Sequence, residues 1–253
     1  MLKKKLIVAA LASAFAVPAM AGDSPVSFNV GFVTDYLVRG ISQTSAKPAL
    51  QGGVDYAHES GFYLGAWGSN ISWITDFGAT GTANIEIDTY GGFTKSINDD
   101  ASYNVGYIRY NYLGSYTPVA GTAKADTQEL YGALTYKMVT VKYSYSLGDF
   151  LTVPNAKGTN YFEVNLNHEL ADAGVKLDVH FGKQNYVGSD ADALAAAGTS
   201  ASYSDYSLKA SKDFSGFTVG AMYSSTNASG FYTTPAGKKL GRGTLVLSVL
   251  RGF

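Results

Sequence analysis

The chain has 253 residues, with 29 glycines, 19 tyrosines, six prolines, three histidines, no cysteine and a formal net charge of −1. Without cysteine an exported protein has no disulfides, and its stability must come from a sheet, a core or a membrane. No basic stripe stands out, which argues against a nucleic-acid partner.

Residues 1–21 read as a cleaved secretory signal. Lys3, Lys4 and Lys5 form a positive n-region, Leu6 to Val17 a short apolar h-region, and Ala19-Met20-Ala21 an A-x-A cleavage site. The apolar run falls short of the roughly 20 residues a spanning helix needs. Removal of the signal leaves 22–253 as one domain carrying 16 basic and 20 acidic groups, a charge of about −4. No later run is long and apolar enough for a membrane helix, so entry into a bilayer requires a closed barrel, which leaves no backbone group unpaired in hydrocarbon.

From here onward the sequence alternates apolar and polar residues at a period of two. Val139-Thr140-Val141-Lys142-Tyr143-Ser144-Tyr145-Ser146-Leu147 shows it most cleanly. Twelve strands are expected near 26–39, 49–57, 61–71, 83–94, 102–112, 127–137, 139–147, 160–170, 174–184, 203–212, 216–225 and 243–253. Most match the ~9–11 residues of a tilted transmembrane strand. Tight turns at His58-Glu59-Ser60, Asn98-Asp99-Asp100, Lys137-Met138, Ala171-Asp172-Ala173 and Asp213-Phe214-Ser215 alternate with long links at 40–48, 72–82, 113–126, 148–159, 185–202 and 226–242. Short turns at one end and long loops at the other are the pattern of bacterial outer-membrane barrels, with the short end periplasmic. Residues 191–197 could form a helical turn within their loop.

Facing follows from the alternation. Phe28/Val30/Phe32, Leu130/Leu134/Tyr136, Val175/Leu177/Val179/Phe181 and Leu245/Leu247/Val249 are among the sets expected to meet lipid. The fifth strand is ambiguous by pattern. There, the cost of an arginine on the lipid face, about 2–4 kcal/mol at the midplane, predicts Arg109 inward and Ile108, Tyr110 and Tyr112 outward. The third strand, apolar on both faces, stays open. A soluble β-sandwich or lipocalin-like barrel would show the same alternation. The one-sided charge, the aromatic residues near strand ends and the final strand Leu245–Phe253 favour the membrane. Phe253 is expected to close the barrel and to present the signal to the barrel-assembly machinery.

Asp35-Tyr36-Leu37-Val38-Arg39-Gly40-Ile41-Ser42-Gln43-Thr44 resembles the DYxxRGxSQT signature of the TorF-type porin family of proteobacteria. The likeness continues through Pro48, Gln51-Gly52-Gly53, Tyr56, residues 58–65 and residues 86–92, and more faintly beyond. The resemblance implies an outer-membrane barrel and a pore. It supplies no substrate and no catalytic residues.

Asp35 and Arg39, four residues apart on the expected first strand, are separated by about 13 Å at ~3.3 Å per residue. They must therefore reach across to other strands, either as a constriction or as lumen salt bridges. The expected inward carboxylates are Asp35, Asp55, Glu86, Asp88, Glu129, Glu163, Asp178 and Asp205, and the inward bases Arg39, Arg109, Lys142, Lys176 and Lys209. Eight acids against five bases leave an acidic lining, which favours cations, unless cross-strand pairing turns the lumen into a plug. Of the histidines, His58 falls in a turn, His168 points to lipid, and His180 faces the lumen beside Asp178 only in sequence. No Ser-His-carboxylate set converges and metal-ligand spacing is missing, so no enzyme, cofactor or metal is expected. The reading is an all-β, antiparallel, up-and-down barrel in the bacterial outer membrane that passes small polar solutes or ions passively, with a mild cation preference. Its partners are membrane lipids, the assembly machinery and the solute. The alternative is a closed barrel for envelope structure or surface recognition.

Overall fold

A computed structural model describes residues 24–228 and 230–253; the expected signal segment lies outside them. Twelve long strands form one closed antiparallel barrel. They are β1 Val26–Val33, β2 Ala49–Ala57, β3 Phe62–Asn70, β4 Ile85–Ser96, β5 Ala101–Leu113 and β6 Thr127–Tyr136 in the first half. The second half holds β7 Val139–Ser146, β8 Asn160–Leu170, β9 Val175–Asn185, β10 Tyr203–Phe214, β11 Phe217–Thr226 and β12 Thr244–Gly252. Each strand pairs with its sequence neighbours, and β1 pairs with β12.

Closure is completed by the last residue. The Phe28 N–H donates to the Phe253 carbonyl at 3.1 Å, and the Phe253 N–H returns a bond to the Phe28 carbonyl at 2.9 Å. A barrel so closed has no free edge to template another chain. Tight turns set the register at this end. Lys137 (φ 52°) turns β6 into β7, and Ser215 (φ 56°) with Gly216 (φ 86°) turns β10 into β11. Both reversals use the left-handed backbone that matches the twist of two-residue hairpins. At the opposite end run the long loops, one of which carries the helix Ser189–Ala196.

The outer wall is apolar. Phe28, Phe32, Leu50, Phe62, Leu64, Leu130, Phe181, Leu208, Leu245 and Leu247 are all exposed. Buried Tyr63, Trp67 and Ser69 turn the other way, which settles β3. Inside, glycine and tyrosine are matched across strands: Tyr63 stands opposite Gly92, Tyr90 opposite Gly65, and Tyr131 opposite Gly106. A Cβ on Gly65 would lie 2.6 Å from the Tyr90 ring, and one on Gly106 would meet the Tyr131 hydroxyl. The missing Cβ lets each ring lie flat against the wall. That is the physical use of the chain's excess of both residues.

Two expectations fail here. The first strand ends at Val33, not 39, so Asp35 and Arg39 do not share a strand face. Arg109 points outward with Val105 and Leu113, while Ile108 and Tyr112 are buried within. Register explains it, because Ile108 stands opposite Glu129 and Tyr112 opposite Glu86, and cross-strand partners share a face. The cost of about 2–4 kcal/mol applies only at the midplane. Arg109 lies four residues from the long-loop end of β5, beside Thr89 and Gln128. Near the interface the cost falls to about 0–1 kcal/mol, and the aliphatic stem can carry the charge towards water.

Candidate functional site: an inward hairpin and the vestibule above it

After β1 the chain does not cross directly to β2. Residues 34–48 fold into the barrel as a small hairpin, with Leu37–Val38 paired to Ile41–Ser42. Its tip is Arg39-Gly40, with φ of 49° and 77°, the left-handed pair that a tight two-residue turn demands. Only glycine suits the second position, because a Cβ on Gly40 would come within 2.9 Å of Asp205 Cβ on the opposite wall. The tip therefore abuts β10.

Nearly every polar residue in this stretch fixes the hairpin. The Asp35 carboxylate accepts from Ser42 Oγ at 2.5 Å and Thr44 Oγ1 at 3.1 Å. Burial pushes this carboxyl above its usual range, and those two hydroxyls partly oppose the shift. Thr44 Oγ1 also accepts the Tyr36 N–H, and the Gln43 carbonyl takes N–H bonds from Ser72 and Trp73. The Tyr36 hydroxyl donates to Glu86 at 3.3 Å. Arg39 crosses furthest: Nη2 donates to Glu129 Oε2 at 2.7 Å and Nη1 to Gln184 Oε1 at 2.8 Å. Its guanidinium lies 4.3 Å from the centre of the Tyr161 ring, within cation–π range.

On the long-loop side of the hairpin is a cavity of about 240 Å3. Trp73, Tyr112, Tyr116, Phe150, Tyr186 and Tyr232 are among its walls, and Arg39 and Gln184 contribute to its lining. Among the described residues, Arg39 is the one Lys, Arg, Asp or Glu side chain that lines it. The apolar interior of the protein gathers here, around Tyr36, Leu37, Ile41, Trp73, Ile74 and Leu240.

Across the lumen a second polar network joins β7 to β10. Lys142 Nζ lies 3.4 Å from Glu163 Oε1. His180 Nε2 is 3.0 Å from Asp205 Oδ1 and 2.8 Å from the Tyr161 hydroxyl, while Nδ1 is 2.7 Å from Asn165 Oδ1. These contacts span neighbouring strands and tie the wall together.

The family model described as "Bacterial protein of unknown function (Gcw_chp)" matches residues 19–253. The chain belongs to the Gcw_chp family. None of the curated proteins matches it. The Gcw_chp barrel resembles the KdgM porin solved in complex with disordered oligogalacturonate, with a TM-score of 0.53, 6% identity, and 90% of this chain and 98% of that one covered. It also resembles the COG4313 outer membrane channel from Pseudomonas putida F1, with a TM-score of 0.51, 12% identity, and 92% and 97% of the two chains covered. At these identities the likeness is one of fold: a closed twelve-stranded barrel of the outer-membrane channel kind.

The residues singled out in the sequence fall at three levels of this Gcw_chp barrel. Arg39 and Glu129 meet at the hairpin tip, and Glu86, which accepts from Tyr36, and Asp88 stand on the neighbouring wall opposite Tyr112 and Tyr110. Glu163, Lys142 and Asp205 belong to the network with His180. Asp55, Asp178, Lys209 and Lys176 lie on the inner face towards the short-turn end. There Asp55 accepts from Tyr90 at 2.5 Å and Asp178 from Asn167 at 2.7 Å, and Lys209 stands opposite Asp178. Asp35 serves its own loop, and Arg109 is outside. The inner face of the strands thus carries seven of the expected carboxylates and three of the expected bases, and the hairpin inside the barrel adds Asp35 and Arg39.

Sequence reasoning missed the aromatic walls. Tyr110 and Tyr112 were expected to face lipid, yet both line the cavity. A signal existed: Trp73, Phe77, Tyr116, Phe150, Tyr186, Phe231 and Tyr232 crowd the long links, where ordinary surface loops are polar.

Proposed function

We propose that this protein is a bacterial outer-membrane channel for passive diffusion. In this reading the short turns stand in the periplasm, the long loops stand outside, and the inward hairpin sets the throat. A secretory signal at residues 1–21 would deliver it, and Phe253 would present it to the barrel-assembly machinery.

The observation that carries the reading is the hairpin with Arg39 at its tip. A closed barrel with an apolar outside and a charged inside can hold water within, and here a loop crosses that interior and meets the far wall through Arg39, Glu129 and Gln184. The residues of the TorF-type signature, Asp35 to Thr44, are the residues that build this hairpin, which supports kinship with that porin type. The surplus of inward carboxylates over bases favours small cations and polar solutes, since a narrow low-dielectric wall focuses its fixed charge.

Single-channel recording of purified, refolded protein in a planar bilayer tests the reading. Discrete conductance steps with a mild cation preference in a salt gradient are expected. Silence from protein proven folded would favour the second reading, a closed barrel of structural or recognition role. The many bonds that hold the hairpin across the lumen give that reading its support.

A further inference from the structure

We propose that the vestibule above the hairpin binds a small apolar-bodied carboxylate, its ring or chain among the aromatic walls and its carboxylate on Arg39. The inference rests on the channel reading only in that the vestibule opens to the exterior, and it concerns a guest held at Arg39, distinct from the small cations that the acidic inner wall below favours.

Size comes first. An apolar cavity of about 150 Å3 holds a benzene-sized guest. At about 240 Å3, the vestibule has room for an aromatic ring with a short side chain. Chemistry of the walls comes next. The walls carry the apolar side chains of Trp73, Phe77, Pro118, Val119, Phe150 and Phe231 alongside six tyrosines, and the hydroxyls of Tyr110, Tyr116 and Tyr232 are already engaged with Glu129, Ala125 and Ala201. A sugar or other polyol would lose more hydration there than the remaining polar groups, chiefly Gln43, Thr122, Thr152 and Tyr203, could replace. An apolar body gains from the same walls, by about 25 cal/mol for each Å2 removed from water.

Charge selects the head group. Arg39 lines the cavity, whereas Glu129 is fully buried behind it. The guanidinium has five N–H donors, of which one is given to Glu129 and one to Gln184. The remaining donors can take a carboxylate in the planar, charge-assisted geometry that arginine favours. Tyr161 on one side and Phe150, 5.7 Å from the guanidinium carbon, hold that plane in place. An amine would meet a like charge at the same point.

Calorimetric titration of the full barrel in lipid nanodiscs tests the site without requiring conductance. The probes are 3-phenylpropionate, the neutral 3-phenylpropanol, 3-phenylpropylamine, and galacturonate, which has the charge without the apolar body. Binding of 3-phenylpropionate at least tenfold tighter than each of the others is expected. Arg39→Gln should remove that preference for the carboxylate. Thr122→Trp, at the exposed rim of the cavity, should abolish binding while leaving the barrel heat-modifiable, which keeps the test valid if the Arg39 variant fails to fold. Equal binding of all four probes, or 3-phenylpropionate binding unchanged in Thr122→Trp, would overturn the site. If the protein binds 3-phenylpropionate as expected yet passes no current, the channel reading fails and the site stands.

Discussion

Arg39 and Glu129, ninety residues apart in sequence, meet inside the barrel at 2.7 Å, with the arginine side chain 10% exposed and the glutamate 1%. Neither could be held there alone. Breaking a buried pair by removing one partner strands the other charge at a cost of about 3–5 kcal/mol. Glu129→Ala should therefore destabilise the barrel more than the double change Arg39→Ala with Glu129→Ala. Thermal unfolding of the refolded proteins, followed by circular dichroism, checks the order. Equal or additive losses would mean that the pair contributes nothing specific.

The inner-wall charges nearest water should set ion preference. Asp55 and Asp178 are only half-buried, on the short-turn side of the hairpin. Asp55→Asn with Asp178→Asn should reduce cation preference, read from reversal potentials in a salt gradient. The difference should shrink in concentrated salt, where the screening length is roughly 3 Å at 1 M. Arg109→Gln should leave selectivity unchanged, because that side chain is outside the barrel. A shift in that variant would contradict the facing assigned to β5.

The last residue should matter to assembly more than its exposure suggests. Phe253 exchanges two backbone bonds with Phe28 where β12 closes on β1. Deleting Gly252 and Phe253 should lower the yield of heat-modifiable protein in outer membranes far more than deleting two residues of the helix Ser189–Ala196. Comparable yields from the two deletions would refute the role given to the terminus.

The glycine–tyrosine pairs should tolerate loss of a hydroxyl better than gain of a side chain. A Cβ on Gly106 would meet the Tyr131 hydroxyl and lie 2.8 Å from the Gly91 carbonyl. Gly106→Val should cost about 1–3 kcal/mol by overpacking. Tyr131→Phe gives up only the hydroxyl contacts to Tyr63 and should cost about 1 kcal/mol. Urea unfolding of the two variants in the same lipid would separate them, and a larger loss for Tyr131→Phe would reverse the explanation.

Strand number, strand order and most of the facing could be read along the chain because they rest on local quantities. Side chains alternate with a period of two whatever the distant residues do, so Phe28, Leu130 and Leu245 declared their side of the wall, as did Glu86, Glu163 and Asp205. Turn residues marked the short end for the same reason. The hairpin was not legible in this way. Asp35 and Arg39 carry the same alternation as a strand, and they leave it because Ser42 and Thr44 of the same loop hold Asp35 while Glu129 and Gln184, which only the closed barrel brings within reach, hold Arg39. Arg109 failed for a related reason: its parity is imposed by pairing with Gln128 and Thr89, not by its own preference for water. The vestibule is the most non-local feature of all. Its aromatic walls come from five separate loops and the strands beneath them, and folding packs them above one guanidinium because there they can bury apolar surface inside a barrel whose outer face is already apolar.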